Sequence, residues 1–241
     1  MLYFNSNKFD FWKIYDAVKQ FYPLGVNKDI IEFYLSYPGL KELEKIVVDT
    51  IHNGNNDAKL WSSLTEDIEK EIGKEIIGTT YGQAPSFSSY VLLDSVTTGN
   101  LTRTKELYFF VSLLGPFYTI IGRYNNTVKF EDGKHFTSTN YLVVSPEDEF
   151  ADTFKFLCDK IETSFKGYRF IPFGICRQSI DGIHVRYSDK NLNTFFHALF
   201  NDQIDITIPR QLGDSYFKSN EWIKEDYVDS VDKWTAYPPS L

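Results

Sequence analysis

From Glu106 to Gly122 the chain reads ELYFFVSLLGPFYTIIG. Leu107 to Gly122 runs 16 residues without a charge between Glu106 and Arg123, and Gly115-Pro116 interrupts it near the middle. A helix that crosses a bilayer needs roughly 20 apolar residues, so the run reads as two buried strands joined by a turn. In Leu107 to Leu114 both alternating faces are apolar. A strand of that kind is covered on both sides and belongs at the centre of a sheet.

Around this hairpin, from Ser86 onward, apolar residues recur every second position and β-branched and aromatic types dominate. Five strands are predicted: Phe87 to Thr97, Thr104 to Leu114, Phe117 to Tyr124, Thr127 to Glu131, and Lys134 to Ser145. Asn125-Asn126 and Asp132-Gly133 between them suit two-residue loops that need positive φ. Joins this short force antiparallel neighbours, because a parallel pair needs a long crossover. Ser145-Pro146-Glu147-Asp148 then predicts a helix start, with Ser145 as cap and Pro146 at the first position. That helix runs to about Phe165, with Phe150, Phe154, Leu157, Cys158, Ile161 and Phe165 turned inward. Beyond it, Tyr168 to Cys176 and Ile183 to Tyr187 predict a second hairpin turning at Asp181-Gly182. A helix around Leu192, Phe195, Phe196 and Leu199 follows, then a short strand from Ile204 to Ile208 closed by Pro209. The tail carries one more helical pattern at Ile223, Tyr227, Val231 and Trp234.

On the N-terminal side the period is helical. Phe9, Trp12, Tyr15 (or Ile14) and Val18 share one face of a helix that Pro23 and Gly25 end. A short helix around Ile30, Ile31, Tyr34 and Leu35, capped by Asn27, precedes one that Pro38 opens and that buries Leu40, Leu43, Val47 and Ile51. After a loop at His52 to Asn56, the series Leu60, Trp61, Leu64, Ile68, Ile72 and Ile76 predicts a helix to about Ile77, its other face charged. Helices first and strands later indicate an α+β class, one domain over residues 1–241, with N-terminal helices packed on a largely antiparallel meander sheet and further helices after it. A chain of 241 residues with 42% hydrophobic residues has enough material for one core without a disulfide or metal staple.

Charge narrows the functions. Lys+Arg 25 against Asp+Glu 33 leaves a formal charge of -8, which argues against nucleic acid held on a broad basic face and suits either plain solubility or a basic partner. Cys158 and Cys176 are too few for a secreted disulfide framework, and residues 1–8 lack the basic and apolar regions of a secretion signal. A cytoplasmic protein with no membrane association is expected.

Catalytic patterns are sparse. Cys176 and His184 lie across the second predicted hairpin and form the one thiol-base pair near in sequence, with Arg186 beside them. His52, His135, His184 and His197 are too scattered for a metal pair from one helical turn, and the 14 glycines form no phosphate-binding loop. No catalytic residue, metal or cofactor is therefore assigned. The 16 tyrosines, with Trp61, Trp222 and Trp234 near charged residues, exceed what a core of this class needs, and such residues favour protein interfaces. Residues 221–234 combine them with acids, which marks Trp222, Asp226, Tyr227, Asp229, Asp232 and Trp234 as a candidate partner-binding set.

The acidic charge, the aromatic content and the hairpin ELYFFVSLLGPFYTIIG together resemble the small single-domain α+β immunity proteins that bacteria encode beside polymorphic toxins. The resemblance is one of general character over most of the chain, without a signature motif. It implies an inhibitor inside the cell, not an enzyme, that binds and neutralises a cognate toxin, a basic domain steered by acidic side chains. An enzyme with a site near Cys176 and His184, and a scaffold subunit associating through a sheet edge, are the competing classes. A monomer or weak homodimer is expected in each case.

Overall fold

The computed structural model of the chain describes residues 11–26, 29–188, 190 and 192–213. Its centre is the expected antiparallel meander, made of β2 (Ser86–Thr98), β3 (Leu101–Ser112), β4 (Phe117–Lys129) and β5 (His135–Val143). A short β1 (Ile76–Gly78) pairs outside β2. Two two-residue strands join in parallel: β6 (Arg169–Phe170) pairs with the start of β4 that β5 leaves uncovered, and β7 (Gln211–Leu212) pairs with the end of β5. The order along the sheet is β1-β2-β3-β4-β5-β7. β3 is central, as its two apolar faces require: Leu107, Phe109 and Val111 point to one side, Tyr108 and Phe110 to the other, and all five are buried.

Helices cover half of the sheet on both faces. On one face lie α4 (Asn56–Ile72) and α5 (Ala151–Ser164). Trp61 of α4 stacks on Phe87 with ring centroids 5.4 Å apart and tilts against Phe109 at 5.2 Å. Phe150, just before α5, packs over Gly122, where a β-carbon would lie 3.0 Å from its ring. On the other face α6 (Phe173–Cys176) and α7 (Phe195–Leu199) meet the sheet, with Phe196 edge-on to Phe110 at 5.2 Å. Over α7 pack α1 (Phe11–Phe21) and then α3 (Pro38–Val47), preceded by α2 (Ile31–Ser36). Gly39 lets α3 cross α1 closely, since a β-carbon there would collide with the Gln20 carbonyl. The far half of the sheet, β2 beyond Leu93 with the facing parts of β3, β4 and β5, stands clear as a twisted arm whose residues are mostly exposed or half-buried.

Several expectations need correction. Asn125-Asn126 is not a turn: β4 runs straight through it. Asn125 is buried, its amide donating to Glu106 at 3.1 Å and its oxygen accepting from Thr139 at 2.8 Å, while Asn126 donates to Asn140 at 3.0 Å. Partners on the neighbouring strands override the local preference for a bend. The turn at Asp132-Gly133 does form, with Gly133 at φ 82°. α4 stops at Ile72 because Gly73 takes the left-handed conformation that ends helices, at φ 62°, and Ile76 belongs to β1. Asn55, accepting from the amides of Asp57 and Ala58, is its cap. Ser145 does not cap α5. Its hydroxyl donates to the Gly213 carbonyl at 2.9 Å, and a 3-10 turn, Asp148–Phe150, leads into the helix instead.

The second hairpin does not form either. Pro172 follows β6 and opens α6, and Ile183–Tyr187 carries no strand, although Asp181-Gly182 does turn. Ile204 to Ile208 is likewise not a strand, because the Asp205 carboxylate accepts from both the amide and the hydroxyl of Thr207 and closes a local turn. The helix predicted in the tail lies outside the described residues, as do Phe9 and the cap at Asn27. Among the described residues no helix is long and apolar enough to cross a membrane.

Candidate functional site

Cys176 ends α6 with its thiol directed under the sheet. It is fully buried, and its hydrogen bonds go to the Thr119 hydroxyl at 3.6 Å and the Ile171 carbonyl at 3.7 Å. Burial pushes the thiol up to about 12, so at neutral pH it carries a proton and is neither nucleophile nor ligand. His184 does not reach it: its carbonyl accepts from the Tyr34 hydroxyl, and its ring Nδ1 is buried without a hydrogen-bond partner. Arg186 points the other way, its Nη1 lying 2.8 Å from the Glu44 carboxylate of α3. That hydrogen bond and the guanidinium charge hold Glu44 below the usual carboxylate range. The three residues occupy separate environments.

Trp222, Asp226, Tyr227, Asp229, Asp232 and Trp234 lie outside the described residues, so the candidate set drawn from the tail is neither assembled nor dispersed by the geometry. Cys158, the other thiol, is on the buried side of α5, and burial pushes it well up. No group of three or more metal-ligating side chains occurs among the described residues.

Where helix and arm meet, the sheet carries a closed polar network. The Glu106 carboxylate accepts from Thr104 at 2.9 Å, Tyr108 at 3.2 Å, Asn125 at 3.1 Å and Arg123 at 2.8 Å. Arg123 also lies over the Tyr108 ring, 4.8 Å from its centroid. Residues 104, 106 and 108 share one face of β3, and 123 and 125 the facing positions of β4, so period-two geometry alone brings them together. Burial raises Tyr108. Each of these donors is matched by an acceptor, which makes the network a structural clamp.

A different surface is left unsatisfied. Tyr37 is extended because Pro38 follows it, which stops α2 and starts α3 within one residue. α2 turns only Tyr34 inward. Ile30, Ile31 and Phe33 are 56%, 63% and 74% exposed, and Leu35 is exposed as well. The short helix expected around Ile30, Ile31, Tyr34 and Leu35 forms, with most of its apolar side chains left in solvent. The short helix sits on the rim of an open cleft of about 490 Å³ lined by Ile31, Tyr34, Leu35, Val185 and Arg186 among others. A second cleft of about 240 Å³ lies on the other side of the Glu44 and Arg186 pair, between α3 and Tyr187, where His52 Nε2 meets the Gly82 carbonyl at 2.7 Å. Acids border the apolar ridge at Asp29 and Glu32, and the α4 and α5 layer presents Glu66, Asp67, Glu69, Asp152 and Asp159 to solvent.

Sequence reasoning missed this ridge. A repeated apolar face reads as core, and nothing local says that the tertiary fold will supply no cover. No family model, curated protein or solved structure matches this chain.

Proposed function

We propose that the protein acts by binding another protein, and that the partner is a basic toxin domain which it neutralises as an immunity protein inside a bacterial cell. The observation that carries the binding function is the α2 ridge. Ile30, Ile31 and Phe33 stay more than half in water side by side at one short helix, whereas most large apolar side chains among the described residues are buried. Burying such side chains at an interface recovers about 1.5 to 3 kcal/mol each. Exposed apolar clusters with a polar rim are what binding surfaces present. A basic partner is favoured by the acids around the ridge, by the acidic α4 and α5 surface, and by the formal charge of -8.

The test is isolation of the tagged protein from its own cells at low and high salt, alongside variants Phe33→Asp and Ile31→Asp. A single stoichiometric basic protein retained by the wild type and lost by either variant, with unchanged circular dichroism, supports the proposal. A partner retained equally by both variants removes α2 from it. If that partner is acidic, the toxin reading goes as well.

A further inference from the structure

We propose that residues 214–241 of the same chain fold back across the arm, on the sheet face that α4 and α5 leave uncovered.

Alternation along the strands defines that face. Gly122 turns toward Phe150, so Tyr124, Asn126 and Val128 turn the same way. The register carries the face to Leu101, Arg103 and Lys105 of β3, to Val96 of β2, and to Phe136, Ser138 and Tyr141 of β5. Val96 and Phe136 are 50% and 62% exposed.

Two features of the face ask for an occupant of a particular chemistry. Tyr124 and Tyr141 stack with centroids 5.1 Å apart, and the row is flanked by Lys105 on one ring and Arg210 on the other. Lys105 is matched by Glu149 and Asp94, whereas Arg103 and Arg210 are exposed and meet no carboxylate among the described residues. Beside Arg103, Asn126 donates to Asn140, but its Oδ1 is buried without a hydrogen-bond partner. A buried acceptor left unmet is costly, and only a donor from outside the described residues can meet this one.

The point at which the described chain ends selects the occupant. β7 runs beside Leu142 and Val143, and Gly213 follows it at φ 84° with its carbonyl held by the Ser145 hydroxyl. A β-carbon on Gly213 would lie 3.2 Å from the Glu147 carboxyl carbon, and Leu212 shares a small cavity with Tyr141, Glu147 and Phe150. The chain therefore leaves β7 on the α5 side of the sheet, next to Tyr141. From Tyr141 to Phe136 the face extends about 17 Å along β5, and the nine residues from 214 to 222 span up to roughly 30 Å, so Trp222 can reach every row. Residues 214–241 carry six acids against three lysines, together with Trp222, Tyr227 and Trp234. The acids suit Arg103 and Arg210, and the rings suit the apolar row of Val96, Val128 and Phe136. The α2 ridge fits the segment less well: it lies with α3 over the opposite face and is bordered by the acids Asp29 and Glu32.

A reporter on the full chain tests the docking. Both native cysteines are buried, so a bimane maleimide can be attached at one introduced cysteine, where contact with tryptophan quenches it. Ser138→Cys and Phe136→Cys lie on the proposed face, and Thr137→Cys lies between them on the other. Emission at 138 or 136 should rise several-fold when Trp222→Phe and Trp234→Phe are combined, and emission at 137 should not change. Arg103→Glu should raise emission at 138 as well, and the quenching should be independent of protein concentration. The proposal is overturned if emission rises at neither 138 nor 136, if it rises equally at 137, or if Arg103→Glu leaves the quenching intact. Quenching that grows with protein concentration overturns it too, because the occupant would then come from another copy.

Discussion

His197 lies in α7 with its ring bonded to the Thr194 hydroxyl at 2.7 Å. Burial among apolar groups disfavours the imidazolium and pulls its pKa from 6.5 to about 4, with Asp202 and Asp205 opposing the shift and Lys190 adding to it. The unfolded chain therefore takes up the proton first as pH falls. Stability from this group is complete above pH 6.5 and is lost progressively between 6.5 and 4, by about 3 kcal/mol. His197→Asn keeps a partner for Thr194 and cannot ionise, so urea titrations across that window should lose most of the slope. Arg123 offers a second test. Arg123→Met leaves the Glu106 carboxylate buried without its cation, and a loss of about 3 kcal/mol in denaturant unfolding is expected, with Glu106→Gln costing less. Both cysteines should resist thiol reagents in the native protein and react on unfolding. Fast native labelling of Cys176 would contradict its placement under the sheet.

At the scale of elements, α4 and α5 are held by what the sheet presents to them. Trp61→Ala removes the ring stacked on Phe87 and Phe109 and should cost about 4 kcal/mol. Gly122→Ala should cost about 2 kcal/mol, because its β-carbon would meet the Val143 side chain at 2.8 Å as well as Phe150. Thermal melts of the two variants check both figures. The strands were legible in the sequence because burial on one or both faces prints a period of two, and β3 with its two apolar faces announced the sheet centre. Asn125-Asn126 misled because its partners, Glu106, Thr139 and Asn140, come from other strands. Ser145 misled in the same way, since its hydroxyl serves Gly213, 68 residues later. The exposed side of α2 was illegible for a further reason: periodicity tells which residues share a face, and only the assembled fold tells whether that face is covered.

For the whole molecule, the separation of a helix-covered half from a projecting arm distributes the tasks. The covered half holds one continuous cluster of buried residues that includes β3, α4, α5 and α7. The acidic surface predicts an association rate that falls as salt rises. Charge reversal at Glu66 and Asp67 should flatten that dependence without shifting the melting temperature, and reversal at Asp226, Asp229 and Asp232 tests whether those acids contribute to it. The most direct test of the binding account compares proteins co-isolated with the wild type and with Phe33→Asp from the native cell in modest salt. The account predicts one stoichiometric basic protein with the wild type and none with the variant; a wild type that emerges without a partner, or a variant that retains the same one, contradicts it.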